Sequence, residues 1–245
     1  MRTALFLHGY FDSCRDSTSK GSDGFSHVHN RILKDNDVDI YIHSWDLENQ
    51  SEIEDIYSPW IKRSVFEKQI DFRPVFYNNG LDKYPKRSGV THFWNVLSQF
   101  YSVQESFKLV SDETEYDVWI KSRFDLGRIN RSSSGPHNKN NPYAVQCINF
   151  DPTLDMSKVY MAKWQQKYLD EEGPADMWFY SGPENMKNFQ SLYDISVRDI
   201  KYNSEYVEWA GPKHGGPINT IKAWKWFFVT TGLWEKKELL MTEWE

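Results

Sequence analysis

Lys121, Arg123 and Asp125 fall on every second residue of Tyr116-Asp117-Val118-Trp119-Ile120-Lys121-Ser122-Arg123-Phe124-Asp125-Leu126. The β-rich start of this run marks a strand, and strand side chains alternate between two faces. The three charged residues therefore share one side, and Ser122 and Phe124 take the other. In an open α/β sheet, ligands sit just beyond the carboxyl ends of the strands. A strand ending Lys-x-Arg-x-Asp offers positive charge to a phosphorylated substrate and a carboxylate to a metal ion. The same residues also read as a strand-end salt bridge between Arg123 and Asp125, and spacing alone leaves both readings open.

Other residues could carry chemistry. Ile42-His43-Ser44-Trp45-Asp46 ends a second strand. There Trp45 could stack a base and Asp46 could accept from ribose hydroxyls, or Trp45 packs and Asp46 caps the next helix. Asp176, in Gly173-Pro174-Ala175-Asp176-Met177-Trp178, is an acid in a loop that enters an aromatic stretch. It is a candidate base or sugar-hydroxyl ligand, or a turn residue, which Asp favours. In His214-Gly215-Gly216-Pro217 the glycines precede the last expected helix, where backbone amides could approach a phosphate. His27-x-His29 opens a helix, where residues two apart do not share a face, so a capping or surface role fits better than a metal. Phe6-Leu7-His8-Gly9-Tyr10 resembles the strand-to-oxyanion-loop start of an α/β-hydrolase. The chain has no G-x-S-x-G elbow to go with it.

The elements that must position these groups follow from the hydropathy pattern. Thr3 to Phe11 reads as a buried strand ending at Gly9, and residues 12–24 as a polar, Gly-rich loop. His27 to Leu33 reads as a helix and Val38 to His43 as a second strand. Strand, loop, helix, strand is a βαβ unit and implies parallel pairing. Residues 47–71 carry helical spacing at Ile53, Ile56, Trp60, Ile61 and Phe66, and Arg73 to Tyr77 is expected as a third strand. Phe93, Val96, Leu97, Phe100, Val103, Phe107 and Val110 recur at a three/four period, so a long amphipathic helix is expected over Val90 to Val110. Residues 127–142 read as a surface loop, in a position that suits a lid. Short strands are expected at 143–148 and 158–163, and helices over Glu184 to Tyr193 and Ile218 to Thr231. The reading is a single α/β domain with a Rossmann-like, mostly parallel central sheet flanked by helices and a mixed C-terminal half.

Composition narrows the function classes. A net charge of −6 argues against a protein devoted to nucleic acid, which needs a basic surface. Aromatics make up 16% of the chain, enough for both a core and stacking platforms for bases or sugar rings. Cys14 and Cys147 are far apart and form no C-x-x-C, so neither a disulfide framework nor a zinc site follows. No stretch reaches the roughly 18 apolar residues of a membrane span. Ala4 to Leu7 is too short for a signal peptide. A cytoplasmic protein is expected, or one made by a virus in a host cytoplasm.

In their order, these pieces resemble small bacterial and viral glycosyltransferases of the GT-A type. Such enzymes have a strand reading like I-H-T-W-D, then a helix with an S-Q-x-Y-S start. A strand like Y-D-x-V-I-R-x-R-x-D-L and a segment like D-x-F-x-x-G-x-x-E-x-M-x-x-F-x-x-L-Y follow. This chain has Ile42 to Asp46, Ser98-Gln99-Phe100-Tyr101-Ser102, Tyr116 to Leu126, and Asp176 to Met186 running on to Phe189 and Leu192-Tyr193. The match spans residues 3 to about 232, in four loose motifs in the right order.

The resemblance implies a hexosyl- or pentosyltransferase that moves a sugar from a nucleotide-diphosphate donor, such as a UDP-sugar, to a glycan hydroxyl. It places the nucleotide-sugar-binding half at 1–126 and the acceptor-side half at 127–245. Asp125 would hold a divalent metal, Mn²⁺ or Mg²⁺, against the donor diphosphate, and Arg123 and Lys121 would neutralise phosphate charge. Gly9, Arg15, His43 and Asp46 would line the nucleotide-sugar pocket, and Asp176 would touch the sugar or deprotonate the acceptor. The usual metal motif has two acids, D-x-D; here Arg123 stands for the first, which leaves metal dependence open. His214 stands near where such enzymes often have Pro-Glu, as a metal ligand or phosphate partner. The rivals are a nucleotide-sugar hydrolase or nucleotidyltransferase, and a carbohydrate-binding or virion structural protein without catalysis.

Overall fold

The computed structural model describes residues 1–11, 21–84, 92–111, 115–126, 147–163, 173–211 and 217–240. Strand β1 (Arg2–Gly9) leads to α1 (Gly21–Val28), which runs on into a π-helical turn (His29–Leu33). Then come β2 (Asp37–Ser44), α2 (Gln50–Tyr57), β3 (Ile61–Phe66), α3 (Arg73–Asn78), α4 (Phe93–Lys108) and β4 (Val118–Arg123). The later part holds β5 (Val159–Ala162), β6 (Phe179–Ser181), α5 (Pro183–Met186), α6 (Leu192–Asp199), α7 (Glu205–Ala210), α8 (Thr220–Thr230) and β7 (Lys237–Leu240). None of the helices among the described residues is long and apolar enough to cross a membrane.

Among the described residues the strands form one sheet in the order β3-β2-β1-β4-β6-β5-β7. The first four run parallel, β6 runs antiparallel to both β4 and β5, and β7 is parallel to β5. This is the mostly parallel sheet with a mixed second half that the pattern implies. Unbroken apolar runs such as Ala4 to Leu7 suit strands covered on both faces. Phe6, Phe107, Trp119, Phe179 and Trp224 fill the core on one face, under α4 and α8. Leu5, Leu7, Ile40, Ile42, Ile120 and Trp178 fill the other, under α1 and α2. Phe6 stacks on Phe107 with ring centroids 3.9 Å apart, so much of the aromatic content is core.

The register matters for the site. His8 lies level with His43 on β2 and with Arg123 on β4. Level neighbours in a sheet share a face, so three polar side chains line up where the parallel strands end. Helix α4 packs over this face with Phe93, Val96, Leu97, Phe100, Val103 and Phe107 all buried, as their three/four spacing implies.

Three expected elements are corrected. The helix read over 47–71 is only α2; residues Ile61–Phe66 pair with β2 as strand β3. The Ile40 amide bonds the Trp60 carbonyl at 2.7 Å and docks the turn, and this tertiary pairing overrides the helical spacing. The expected third strand, Arg73 to Tyr77, is helix α3. Pro74 at its first turn is pre-shaped for a helix start, and the Asp71 carboxylate accepts from the Arg73 amide at 3.0 Å. The helix over Glu184 to Tyr193 is split into α5, a 3₁₀ turn (Lys187–Ser191) and α6. The expected loop at 127–142 lies outside the described residues, as does most of the expected strand at 143–148.

Two glycines set how closely the chain packs at this end of the sheet. A Cβ on Gly24 would sit 1.8 Å from the Phe124 carbonyl oxygen, while Gly9 has a left-handed φ of 92° and nothing within 4 Å of its missing Cβ. Gly24→Ala is expected to cost about 1–3 kcal/mol by overpacking, and Gly9→Ala roughly 1–2 kcal/mol from backbone strain alone. Urea unfolding of both variants checks this; equal stability to the wild type would show that α1 does not press on the end of β4.

Candidate active site

In a parallel sheet, a crevice forms where successive connections leave in opposite directions. Here β1 connects to β2 on one side, and β4 joins β1 on the other. A cleft of about 500 Å³ opens at that point, within the size range of small-molecule sites. The end of β1 contributes His8, Gly9 and Tyr10, and the end of β4 contributes Arg123 and Asp125. Helix α4 adds Asn95, Val96, Ser98 and Gln99; Trp45, Gln69, Asp176 and Thr220 complete the lining.

The centre is an ion-pair cluster. The Arg123 guanidinium donates to both Asp125 oxygens, Nε to Oδ1 at 2.7 Å and Nη2 to Oδ2 at 2.5 Å. Its Nη1 reaches Asp176 Oδ2 at 3.4 Å. Gln99 Nε2 donates to the same oxygen at 2.7 Å. The strand-end pairing of Arg123 with Asp125 is therefore present, and it extends to a third residue brought from 53 positions away. Burial alone would raise the Asp176 pKa, but Arg123, Lys121 and Gln99 outweigh it and hold the carboxyl below its ordinary value. Asp176 is thus ionised at neutral pH.

Lys121 does not face the cleft as the sequence suggested. Its side chain is fully buried, and Nζ donates to the Asp176 carbonyl and, at 3.2 Å, to the Met177 carbonyl. The amine lies over the rings of Phe179 and Trp224, 5.2 and 5.3 Å from their centroids. Burial, with Arg123 adding to it, pulls its pKa down to about 7. Lys121 is a strut that fixes the loop before β6, and with it Asp176.

His43 and Asp46 are also turned inward. His43 Nδ1 is 2.8 Å from Ser102 Oγ and its Nε2 3.0 Å from Glu67 Oε1. Burial lowers its pKa even though Glu67 pulls the other way. Ser102 Oγ also accepts from the Gly9 amide at 3.1 Å, so one hydroxyl ties α4 to the ends of β1 and β2. Asp46 accepts from the Phe11 amide at 3.2 Å and from the Asn49 side chain at 3.1 Å, just before α2. It shapes the turn rather than lining the cleft. Trp45 does reach the cleft, but one face stacks on Tyr101 at 5.5 Å. His27 is buried and its Nε2 accepts from the Ile148 amide, so it is a core residue. Arg15 and His214 lie outside the described residues.

Calcium, magnesium and manganese favour several oxygen ligands converging on one point. Among the described residues no group of three His, Cys, Asp or Glu side chains does so, and Asp125 has both oxygens on Arg123. Of the two expected ligands, Asp125 is committed to Arg123 and His214 lies outside the described residues.

Sequence reasoning missed His8, Gln69, Asn95, Gln99 and Thr220 as cleft residues. His8 was within reach. It precedes Gly9 at the end of a strand, and the rule that singled out Arg123 and Asp125 applies to it equally. Gln69 sits in a stretch read as helix, and nothing local marks Asn95 or Thr220.

Two changes probe this cluster. Arg123→Met leaves two carboxylates facing each other, and its cost is expected on the order of 3 kcal/mol, the low end for a broken buried pair because the guanidinium is 28% exposed. In the fold Lys121 loses its proton near pH 7 rather than near 10.5. Between those values the unfolded chain binds the extra proton, so wild-type stability should rise with pH there. Lys121→Met should lack that rise. Urea titrations across this range, on both proteins, decide it; parallel pH profiles would contradict the buried-amine account.

No family model matches the chain, and no curated protein sequence matches it significantly. Among solved structures it is similar to mouse xyloside xylosyltransferase 1, with 12% identity and a TM-score of 0.43 over 98% of this chain and 85% of that one. It is also similar to 4-diphosphocytidyl-2C-methyl-D-erythritol synthase from Anaerococcus prevotii, with 9% identity, a TM-score of 0.42, and 99% and 87% coverage. A third is the WbbM bifunctional glycosyltransferase, with 10% identity and a TM-score of 0.40, of which this chain spans only 38%.

Proposed function

We propose that the protein is a glycosyltransferase that moves a sugar from a nucleotide-diphosphate sugar to a hydroxyl of a glycan acceptor. The observation that carries this reading is the position of the Arg123–Asp125–Asp176 cluster in a cleft at the crossover of a parallel sheet. The order of motifs from Ile42 to Tyr193 supports it. In such a transfer, negative charge builds on the leaving diphosphate and positive charge on the sugar ring. Arg123, 28% exposed, is the cleft cation that would face the phosphates. Asp176 is the ionised carboxylate that would accept the acceptor's proton, from within about 3 Å. Its lowered pKa makes it a weaker base than one poised near neutrality, but keeps it in the accepting form. Asp125 holds the guanidinium in place. A manganese or magnesium ion enters this reading only where it draws Asp125 away from Arg123.

One observation favours a second reading. Lys121 and Arg123 are balanced by Asp125 and Asp176, so the cluster offers little net positive charge to a diphosphate. Carboxylates, amides and an indole edge around a cleft also suit a non-catalytic carbohydrate-binding protein.

A thermal-shift screen of nucleotide sugars, with and without manganese, separates the two, because a ligand that binds only the folded form raises the melting temperature. A transferase should shift with one donor class. Its Asp176→Asn variant should lose roughly 10²- to 10⁴-fold in turnover while still binding that donor. A protein that shifts with free glycans alone, and keeps that affinity in Asp125→Ala, is a lectin.

A further inference from the structure

His8 is the middle member of the His43–His8–Arg123 row across β2, β1 and β4. Its two neighbours are both satisfied: His43 by Ser102 and Glu67, Arg123 by Asp125 and Asp176. His8 is not. It is 3% exposed, both ring nitrogens lack a hydrogen-bond partner among the described residues, and the residue lines the cleft. Buried polar groups are nearly always paired, and one left unpaired is costly. A side chain kept at such a cost at the floor of a cleft points to a partner that the cleft receives.

We propose that His8 is a substrate-recognition residue that hydrogen-bonds a hydroxyl of a sugar ring bound in the cleft. The chemistry of the ring selects the partner. Burial is the main reason its pKa lies well below the ordinary value, and the positive charge of Lys121 and Arg123 adds to it. The imidazole is therefore neutral, with one nitrogen donating and the other accepting. A phosphate oxygen accepts but cannot donate, so it satisfies only one of the two. Ring hydroxyls do both, and a polyol presents several on one edge. Gln99, Asn95 and Ser98 from α4 line the same cleft with groups of the same dual character. Arg123, already shared between two carboxylates, leaves the middle of the row to uncharged recognition.

The inference rests on the nucleotide-sugar reading above and adds which residue reads the sugar. Two rings in such a donor carry hydroxyls, the transferred sugar and the ribose, and the test distinguishes them. Binding of UDP-glucose, UDP-xylose and GDP-mannose, and of free UDP and GDP, is measured by calorimetry on the wild type, His8→Leu and His8→Asn. Melting temperatures of all three proteins are recorded without ligand. His8→Leu removes two unpaired atoms and should melt at or above the wild-type temperature, yet bind the donor about tenfold more weakly, as expected for roughly 1.4 kcal/mol. His8→Asn, which keeps a donor and an acceptor, should recover part of that affinity.

Weaker binding of the nucleotide sugar with unchanged binding of the free diphosphate assigns His8 to the transferred sugar. Equal weakening of both assigns it to the ribose. Unchanged binding of both overturns the inference and leaves the transferase reading standing. A His8→Leu protein that melts well below the wild type while binding normally also overturns it, because the imidazole would then serve only the core. If the wild type binds none of the probes, both readings fall together.

Discussion

A guanidinium that is mostly out of water must be surrounded by acceptors, and at Arg123 this requirement organises the centre of the protein. One fork is closed by Asp125, two residues on, in the turn just past the end of β4. The remaining arm finds Asp176, which belongs to the loop entering a different strand and is itself held by Gln99 of α4. Three separate parts of the chain are thereby fixed to one cation. Lys121, one step behind on the same face, reinforces the arrangement from below through the carbonyls of Asp176 and Met177. The geometry of the cleft is a by-product of keeping these charges compensated.

The rest of the fold serves to hold that end of the sheet open. Ser102 fastens α4 to the tips of β1 and β2, and Ser44 donates to the Gly9 carbonyl at 2.8 Å, so the strand ends cannot fray independently. Trp45, Tyr101 and Phe72 pack against one another beside the opening and make a stiff wall. The positive φ of Gly9 turns the chain at the end of β1, directly after His8. Rigid framing by helices and strands is what gives a recognition site its precision, and here most of the polar residues sit at strand ends and on the first turns of α4, with Asp176 brought in by the loop before β6.

Much of this was legible in the sequence, and the exceptions have physical causes. Alternation in the Tyr116 to Leu126 run gave the shared face of Lys121 and Arg123, with Asp125 falling just past the strand end, and the three/four period gave the buried face of α4, with ends two or three residues too long. Residues 61–66 misled because a short strand at a sheet edge alternates weakly, and its spacing also fits a helix; only its pairing with β2 decides. Arg73 to Tyr77 misled because its aromatic content suggests a strand, while Pro74 at a first turn favours the helix. For the site, residue type marked Arg123, Asp125 and Asp176, but type alone says nothing of direction. Lys121, His43 and Asp46 are polar residues at strand ends that proved to be internal fasteners, since the groups satisfying them come from α4, the β3 end and the backbone, far away in sequence. His8 shows the converse: what sets it apart is the lack of such a partner among the described residues, which no local pattern reveals.

The antiparallel course of β6 beside β4 has a consequence for how the molecule is made. A strand running the opposite way brings its beginning, not its end, to the mouth of the cleft, so Asp176 is translated long after the cation it neutralises. Until then a chain emerging from the ribosome has β4 as a bare lateral edge, with Lys121 lacking the carbonyls of Asp176 and Met177 and Arg123 lacking one of its counter-charges. Bare strand edges invite pairing with other chains. The parallel half can assemble early, but its most exposed flank stays adhesive until the later segment is synthesised and docks.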